Sequence, residues 1–153
     1  MGFLPEKIIS GGQTGVDRGA LDAATEAGLA VGGWCPKGRR AEDGPIPDRY
    51  RLRETPTEVY SDRTKRNVAE GDATLILCRG PLSGGTAYTA EVAAGLGKPL
   101  IVLNPDEDRS IDAARLWLDA TRPRTLNVAG PRDSSDAGIE RVAAEWMNRL
   151  LSG

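Results

Sequence analysis

The sequence of 153 residues contains no histidine. This absence excludes Ser-His-Asp and Cys-His catalysis, histidine general bases and histidine-ligated zinc. Any acid–base chemistry must therefore use Asp, Glu, Lys, Tyr or Cys. No residue pattern indicates a metal site, and the one kind of metal ion that this composition favours is a hard cation such as Mg²⁺ on oxygen ligands.

Aromatic residues, cysteines and long apolar runs are also scarce. Aromatic residues make up 5% of the chain, so we expect a core built largely from Ala, Val, Leu and Ile. The two cysteines, Cys35 and Cys78, lack metal-ligand spacing and are expected to be buried small side chains. No apolar run reaches the length of a membrane span, and the N-terminal segment has no signal-peptide core. We therefore expect a cytoplasmic protein without a membrane partner.

The net charge and the length of the chain indicate its partners and its number of domains. The net charge is −2 and the isoelectric point is near 5.3, which argues against a nucleic-acid partner because such domains are usually basic. A chain of 153 residues has the size of one domain and can bury a substantial core. We therefore expect residues 1–153 to form a single domain.

Short apolar runs alternate with segments of helical periodicity along the chain. Strands are predicted at 7–10, 29–34, 57–60, 73–78, 99–103 and 125–128, and helices at 16–27, 62–70, 86–96, 111–120 and 137–151. Ser61 is predicted to cap the second helix, and residues 35–56 show no clear period. Because the strands are continuous apolar runs, the pattern predicts an α/β fold with a mostly parallel sheet of about five to six strands between two helical layers.

Two glycine-rich loops follow predicted strands. The first contains Gly11, Gly12, Gln13, Thr14 and Gly15, and the second contains Ser83, Gly84, Gly85 and Thr86. Each leads into a helix at the carboxyl edge of the sheet, where ligands of open α/β folds bind and where backbone N–H groups favour anions. Neither loop has the dinucleotide or P-loop pattern, which disfavours hydride transfer and ordinary ATP hydrolysis. The alternative is that both loops are structural turns.

Several charged residues are further candidates for ligand contacts. Arg63 and Asn67 lie four apart on one helical face, and Lys37, Gly38, Arg39 and Arg40 belong to a mixed-charge segment that is either a solvated loop or a ligand lid. Asp17, in a first helical turn, is either a cap or a contact to a ligand hydroxyl or Mg²⁺. The candidate catalytic carboxylates are Asp17, Asp43 and Glu91.

Five stretches of the chain together resemble one known family. The stretches IISGGQTGVDRGALDAA, GGWCPKGRRAEDGPIP, RTKRNV, ATLIL and SGGTAYT are similar to those of the molybdenum-cofactor carrier family, and the similarity runs from about Lys7 to Leu103. That family is related to the Lonely-Guy and lysine-decarboxylase-like proteins. The resemblance implies a Rossmann-like fold, a homo-oligomer (dimer or tetramer) and a pocket for a phosphorylated pterin or nucleotide-like ligand. It also assigns ligand contacts to both glycine-rich loops, Asp17 and residues 37–40.

The chain departs from the Lonely-Guy enzymes at their catalytic motif. When their pattern, PGGxGTxxE, is aligned with its threonine on Thr86, Thr89 stands in place of the catalytic glutamate. Glu91 falls two residues later, which is about 200° around a helix. This departure argues against N-glycosidic cleavage of nucleoside monophosphates, although the phosphate-binding loop is retained.

Three functions remain open at this point. We expect a binding or carrier protein for a phosphate-bearing small molecule, with molybdenum cofactor or a nucleotide as cargo. The second hypothesis is a nucleotide hydrolase acting on N-glycosidic or phosphoester bonds, which would need a carboxylate in the pocket. The third is a structural module without a ligand.

Overall fold

The computed structural model describes residues 2–152. The strands are β1 (Lys7–Ile9), β2 (Ala30–Gly32), β3 (Trp34–Cys35), β4 (Arg40–Ala41), β5 (Gly44–Pro45), β6 (Arg53–Glu54), β7 (Ala73–Leu77), β8 (Leu100–Leu103) and β9 (Thr125–Ala129), and the helices are α1 (Val16–Glu26), α2 (Tyr60–Glu70), α3 (Gly84–Gly95), α4 (Ser110–Thr121) and α5 (Ile139–Leu151).

Five strands form the central sheet in the order β2-β1-β9-β7-β8. All of its strand pairs are parallel. The last strand in the chain, β9, lies between β1 and β7, so the connections from β1 and β7 leave in different directions. The prediction of a parallel sheet between two helical layers is confirmed, and the architecture is that of a Rossmann-like three-layer sandwich.

The main core lies between one face of the sheet and helices α1, α4 and α5. Alternate strand residues such as Leu75, Leu77, Leu126 and Val128 are fully buried there together with Trp146. The helices α1 and α5 approach closely because Gly19 has no side chain: a Cβ at that position would lie 2.5 Å from the carbonyl oxygen of Glu140.

Helices α2 and α3 pack against each other and cover the other face. The intervening strand residues point to this side. Two of them, Thr74 and Asn127, are polar. The Asn127 amide donates from Nδ2 to the Thr74 hydroxyl oxygen at 3.3 Å. Polar side chains are rarely buried in the middle of a sheet unless they are hydrogen-bonded, and here they lie beneath a cavity.

The segment of residues 35–56 folds around a second, smaller core. Its members are Leu21, Cys35, Ile46 and Tyr50. The Arg39 guanidinium binds four backbone carbonyl groups of the segment, at Ile46, Pro47, Tyr50 and Leu52. These hydrogen bonds order a segment that has little regular secondary structure.

Three predictions about individual elements are wrong. The strand predicted at 29–34 ends at Gly32, because Gly33 has a φ of 126° and passes so close to β1 that a Cβ would lie 2.1 Å from the Ser10 carbonyl oxygen. Trp34 then pairs with β6 in another sheet. No strand forms at 57–60, and the N-cap of α2 is Val59 rather than Ser61.

Within residues 2–152, no helix is long and apolar enough to cross a membrane.

Candidate functional site

A cavity of about 510 Å³ opens at the carboxyl edge of the sheet. Its walls are the loops that follow β1, β7 and β9, together with the first turns of α2 and α3. The cavity therefore lies where the chain connections diverge on either side of β9, which is the usual ligand position in an open α/β sheet.

The first turn of α3 forms one wall of the cavity with unused hydrogen-bond donors. The N-cap residue Ser83 makes no side-chain cap, and the first amide of the helix to find an acceptor is that of Ala87, which donates to Ser83. Among the described residues, the N–H groups of Gly84, Gly85 and Thr86 have no acceptor. Thr86 lines the cavity and is 9% exposed, and its hydroxyl has no hydrogen-bond partner within residues 2–152. Free N–H groups at a helix N-terminus attract anions.

Another part of the cavity wall carries an arginine and a carboxyl group in close contact. Arg63 donates from Nη1 to the Gly11 carbonyl oxygen at 2.9 Å, and the same nitrogen lies 3.9 Å from Oδ2 of Asp17. The side chains of Arg63 and Asp17 are only 12% and 10% exposed. Gly11 makes room for this arrangement, since a Cβ there would lie 2.2 Å from Nη1.

The environment of Asp17 changes its acidity. Burial raises the pKa of Asp17 to about 6, although Arg63 and the backbone N–H groups of Gln13 and Gly11 act in the opposite direction. Its Oδ2 accepts the N–H of Gln13 at 3.2 Å. Asp17 therefore titrates close to neutral pH at the surface of the cavity.

The first glycine-rich loop uses its own N–H groups inside the protein. Five successive donors find protein acceptors: Gly12 donates to Ser10, Gln13 to Asp17, Thr14 to Gln13, Gly15 to Glu140 and Val16 to Pro131. Close packing explains the glycine at the end of the loop, because a Cβ on Gly15 would lie 2.2 Å from the Pro131 carbonyl oxygen. These five N–H groups are therefore not available to a ligand.

The predicted site residues divide into two sets. The cavity is lined by Gly11, Gln13, Asp17, Arg63, Asn67, Ser83, Gly84, Gly85 and Thr86, whereas Gly12, Thr14, Gly15, Lys37, Gly38, Arg39, Arg40, Asp43 and Glu91 lie outside its lining. Asn67 also has a structural role, because its amide binds both the N–H and the carbonyl oxygen of Trp34.

The mixed-charge segment is attached to the protein through its acidic residues. Asp43 forms a bidentate pair with Arg18 at 2.7 and 2.9 Å, and this hydrogen bonding lowers the pKa of Asp43. Glu42 accepts from the Thr14 hydroxyl and from the N–H and hydroxyl of Ser134. Although partial burial opposes the change, these hydrogen bonds lower the pKa of Glu42. Lys37 and Arg40 are exposed.

Sequence reasoning missed the loop after β9. Pro131, Arg132, Ser135 and Asp136 all line the cavity, as do Tyr60, Tyr88 and Arg79 from other elements. Arg79 pairs with Asp106 at 3.2 Å and with Asp136 at 3.5 Å, so its charge is compensated. The available signal was the sequence GPRDSSD directly after a predicted strand, at the same edge as the two glycine-rich loops.

Within residues 2–152, no group of three or more Cys, Asp or Glu side chains is arranged to hold a metal ion. The donor set of the cavity consists of backbone N–H groups, hydroxyls, amides, arginines and single carboxylates. This set suits an organic anion better than a hard cation, which needs several oxygen ligands together.

Comparisons with known proteins agree on the family. Residues 8–151 match the family model described as the circularly permuted YpsA SLOG family. A crystal structure described as "Putative molybdenum carrier protein" from Syntrophus aciditrophicus SB is 40% identical, with a TM-score of 0.93 over 100% of this chain and 98% of that chain. A search of curated proteins found no match. The resemblance stated from the motifs is thus confirmed, and the chain belongs to the circularly permuted YpsA SLOG family, of the molybdenum-carrier type.

Proposed function

We propose that the protein binds and carries a small organic molecule that bears a phosphate group, with the phosphate at the N-terminus of α3. The observation that carries this proposal is the set of unused donors there: three N–H groups and the hydroxyl of Thr86, all beside one cavity. Arg63 lines the same cavity, and Asp17 at 3.9 Å compensates part of its charge. Hydrogen bonds from such fixed donors to a charged group contribute more than those between neutral groups.

Two cargo classes fit this proposal. A cavity of about 510 Å³ is large enough for a drug-sized molecule, and Tyr60 and Tyr88 offer aromatic rings to a planar heterocycle. The description of the solved relative as a molybdenum carrier supports molybdenum cofactor as the first candidate. A nucleotide is the second, because it shares the phosphate and the planar ring.

The first experiment is native mass spectrometry of the purified protein, followed by thermal-shift titration with nucleoside monophosphates, molybdate and a molybdopterin source. A co-purifying organic phosphate, or stabilisation by one organic class, supports the proposal. A ligand at 100 times its dissociation constant stabilises the folded state by about 2.7 kcal/mol. Stabilisation by molybdate alone, or by none of these compounds, contradicts it. The same spectra test the expected homo-oligomer.

A substitution at the second loop tests the position of the phosphate. Thr86→Val removes the unpartnered hydroxyl and keeps the shape of the side chain, so we expect the affinity for the stabilising ligand to fall about tenfold. Thr121→Val on α4 is the matched control, since its hydroxyl donates to the Trp117 carbonyl oxygen away from the cavity. Calorimetric titration measures both variants. Equal affinities of Thr86→Val and the control would place the phosphate elsewhere.

The alternative function, hydrolysis of a nucleotide, depends on Asp17. Of the three candidate carboxylates, Asp17 lines the cavity, Asp43 is paired with Arg18 outside it, and Glu91 is exposed on α3. The raised pKa of Asp17 is compatible with acid–base work near neutral pH. Incubation with nucleoside mono- and diphosphates distinguishes the two functions: turnover that Asp17→Asn abolishes indicates the enzyme, and binding without turnover indicates the carrier.

A further inference from the structure

Arg63 and Asp17 form a compensated pair in the cavity that an anionic ligand would disturb. The Nη1 atom of Arg63 is shared between the Gly11 carbonyl oxygen and the Asp17 carboxylate. Its Nη2 atom has no acceptor within residues 2–152. The pair is almost neutral as a whole, so the arginine brings little net positive charge for an incoming anion while Asp17 is ionised.

An anion attracted to Arg63 comes close to the carboxylate. The side chains of both residues line the cavity and are at least 88% buried, and like charges so close together in a poorly solvated site disfavour double ionisation. Two anions in this position are stable when they share a proton, as two neighbouring carboxylates do in the aspartic proteases.

The other positive group near Asp17, Arg18, favours the ionised carboxylate less than Arg63 does. Arg18 of α1 is paired with Asp43 and donates to the Gly12 carbonyl oxygen. Glu140 of α5 faces the same helix end and binds the N–H of Gly15, so it adds negative charge. The loop contributes the N–H of Gln13, which is already bound to Oδ2 of Asp17.

We propose that Asp17 is a ligand-binding residue that acts in its protonated form, donating its O–H to an oxygen of the anionic ligand beside Arg63. Binding then takes up one proton from solvent, and this proton converts a repelling carboxylate into a hydrogen-bond donor. The site would thereby select ligands whose anionic oxygens accept a hydrogen bond, and it would release them as the pH rises. This inference rests on the proposed function, and it adds a ligand-binding role for Asp17 and the uptake of a proton on binding.

The direction of the pH dependence follows from the free protein. The pKa of Asp17 is about 6 without ligand, so the carboxyl group is mostly ionised above that pH. Affinity is then full below pH 6 and falls as the pH rises, by up to about tenfold per pH unit, until the pKa of the bound state is reached.

Carbon-13 NMR of the Asp17 carboxyl group gives the most direct test. The probe is adenosine 5′-monophosphate, with guanosine 5′-monophosphate and inorganic phosphate as further probes. We expect the titration midpoint of Asp17 to rise by at least one pH unit when the protein is saturated. A midpoint that stays constant or falls overturns the inference, and this measurement needs no substitution.

Calorimetric titration of variants gives a second test. The affinity of the wild type for adenosine 5′-monophosphate should fall between pH 6 and pH 8 relative to that of Asp17→Asn, and the ionisation of the ligand itself cancels in this comparison. Asp112→Asn, at the equivalent turn of α4 and remote from the cavity, should keep the wild-type profile. If Asp17→Asn fails to fold, Asp17→Glu replaces it and should retain the proton uptake.

The outcomes separate the inference from the proposed function. Binding with parallel pH profiles for the wild type and Asp17→Asn overturns the proton linkage and leaves the carrier function in place. Failure of the three probes and of the molybdopterin source to bind the wild type overturns the proposed phosphate site, and the inference with it.

Discussion

Gly15 and Gly28 both have a positive φ and differ in their surroundings, so their substitutions can be compared. Both have φ near +85°, at 86° and 81°. A Cβ on Gly28 would meet open space, whereas a Cβ on Gly15 would lie 2.2 Å from the Pro131 carbonyl oxygen and 2.8 Å from the Cα of Arg132. Gly28 is therefore required by its conformation alone, and Gly15 by its conformation and by the contact between two loops of the site.

Substitution of these two glycines should separate the two costs. Gly28→Ala should lower the free energy of unfolding by about 1 kcal/mol, the cost of a left-handed residue with a side chain. Gly15→Ala should lower it by about 3 kcal/mol, because the backbone around Pro131 must also move. Urea denaturation of both variants measures this difference. If the two variants lose the same free energy of unfolding, the loop after β9 can move to accommodate a side chain at Gly15 without destabilising the fold.

At the scale of elements, the hairpin of β4 and β5 supports the wall of the cavity. Its turn residue Glu42 joins the first loop, through Thr14, to the loop after β9, through Ser134. Glu42 also lies 3.5 Å from Nε of Arg132, and its side chain is 18% exposed. The mixed-charge segment thus acts on the cavity from outside, by holding together two loops that surround it.

Removal of Glu42 should reveal this support. Glu42→Ala should lower the free energy of unfolding at pH 7 by about 1–2 kcal/mol, because several hydrogen bonds to one carboxylate are lost. Glu58→Ala is the control: its ion pair with Arg40 has both side chains more than half exposed, and such pairs contribute about 0–1 kcal/mol. Because the pKa of Glu42 is lowered in the folded state, its contribution is present above the unfolded pKa and decreases as the pH falls through the folded value. Urea denaturation of both variants and the wild type at pH 7 and pH 3 measures these contributions. If Glu42→Ala is still less stable than the wild type by the same amount at pH 3, the stabilisation does not depend on the negative charge of Glu42.

The elements that the sequence predicts well are those in which local pattern and packing agree. The buried run of β7 and the apolar face of α5, with Ile139, Ala143 and Trp146, are at the predicted places. The break at Gly33 was missed because it depends on contact with Ser10, twenty-three residues away. Residues 35–56 could not be predicted because their order comes from Arg39 binding four distant carbonyl groups.

The candidate site was predictable in position and only partly in detail. The strand-end rule correctly indicates the edge at which a cavity forms. Composition could not distinguish the two glycine-rich loops, because the acceptors that occupy the first loop come from distant places such as Glu140 and Pro131. Glycine in a loop is equally compatible with a ligand, with a neighbouring backbone and with open space.

For the whole molecule, the sheet order explains why residues far apart in the chain share one cavity. Since β9 lies between β1 and β7, the loops that begin at positions 10, 78 and 130 meet at one edge. Each half of the chain contributes part of the wall: Asp17 and Arg63 come from the first half, and Thr86 and Asp136 from the second. Ligand binding should therefore perturb residues of several loops that are far apart in the chain.

Amide proton shifts should show which loop the ligand contacts. On saturation with adenosine 5′-monophosphate, the amide protons of Gly84, Gly85 and Thr86 should move downfield, because they gain charged acceptors that the free protein lacks. The amide protons of Gly12–Val16 should move little, because their acceptors are already inside the protein. Helix α4 forms no part of the cavity wall and serves as the internal control. Large downfield shifts in the first loop with none in the second would reverse the assignment, since the ligand would then have to displace Asp17 and Glu140 from the N–H groups they now hold.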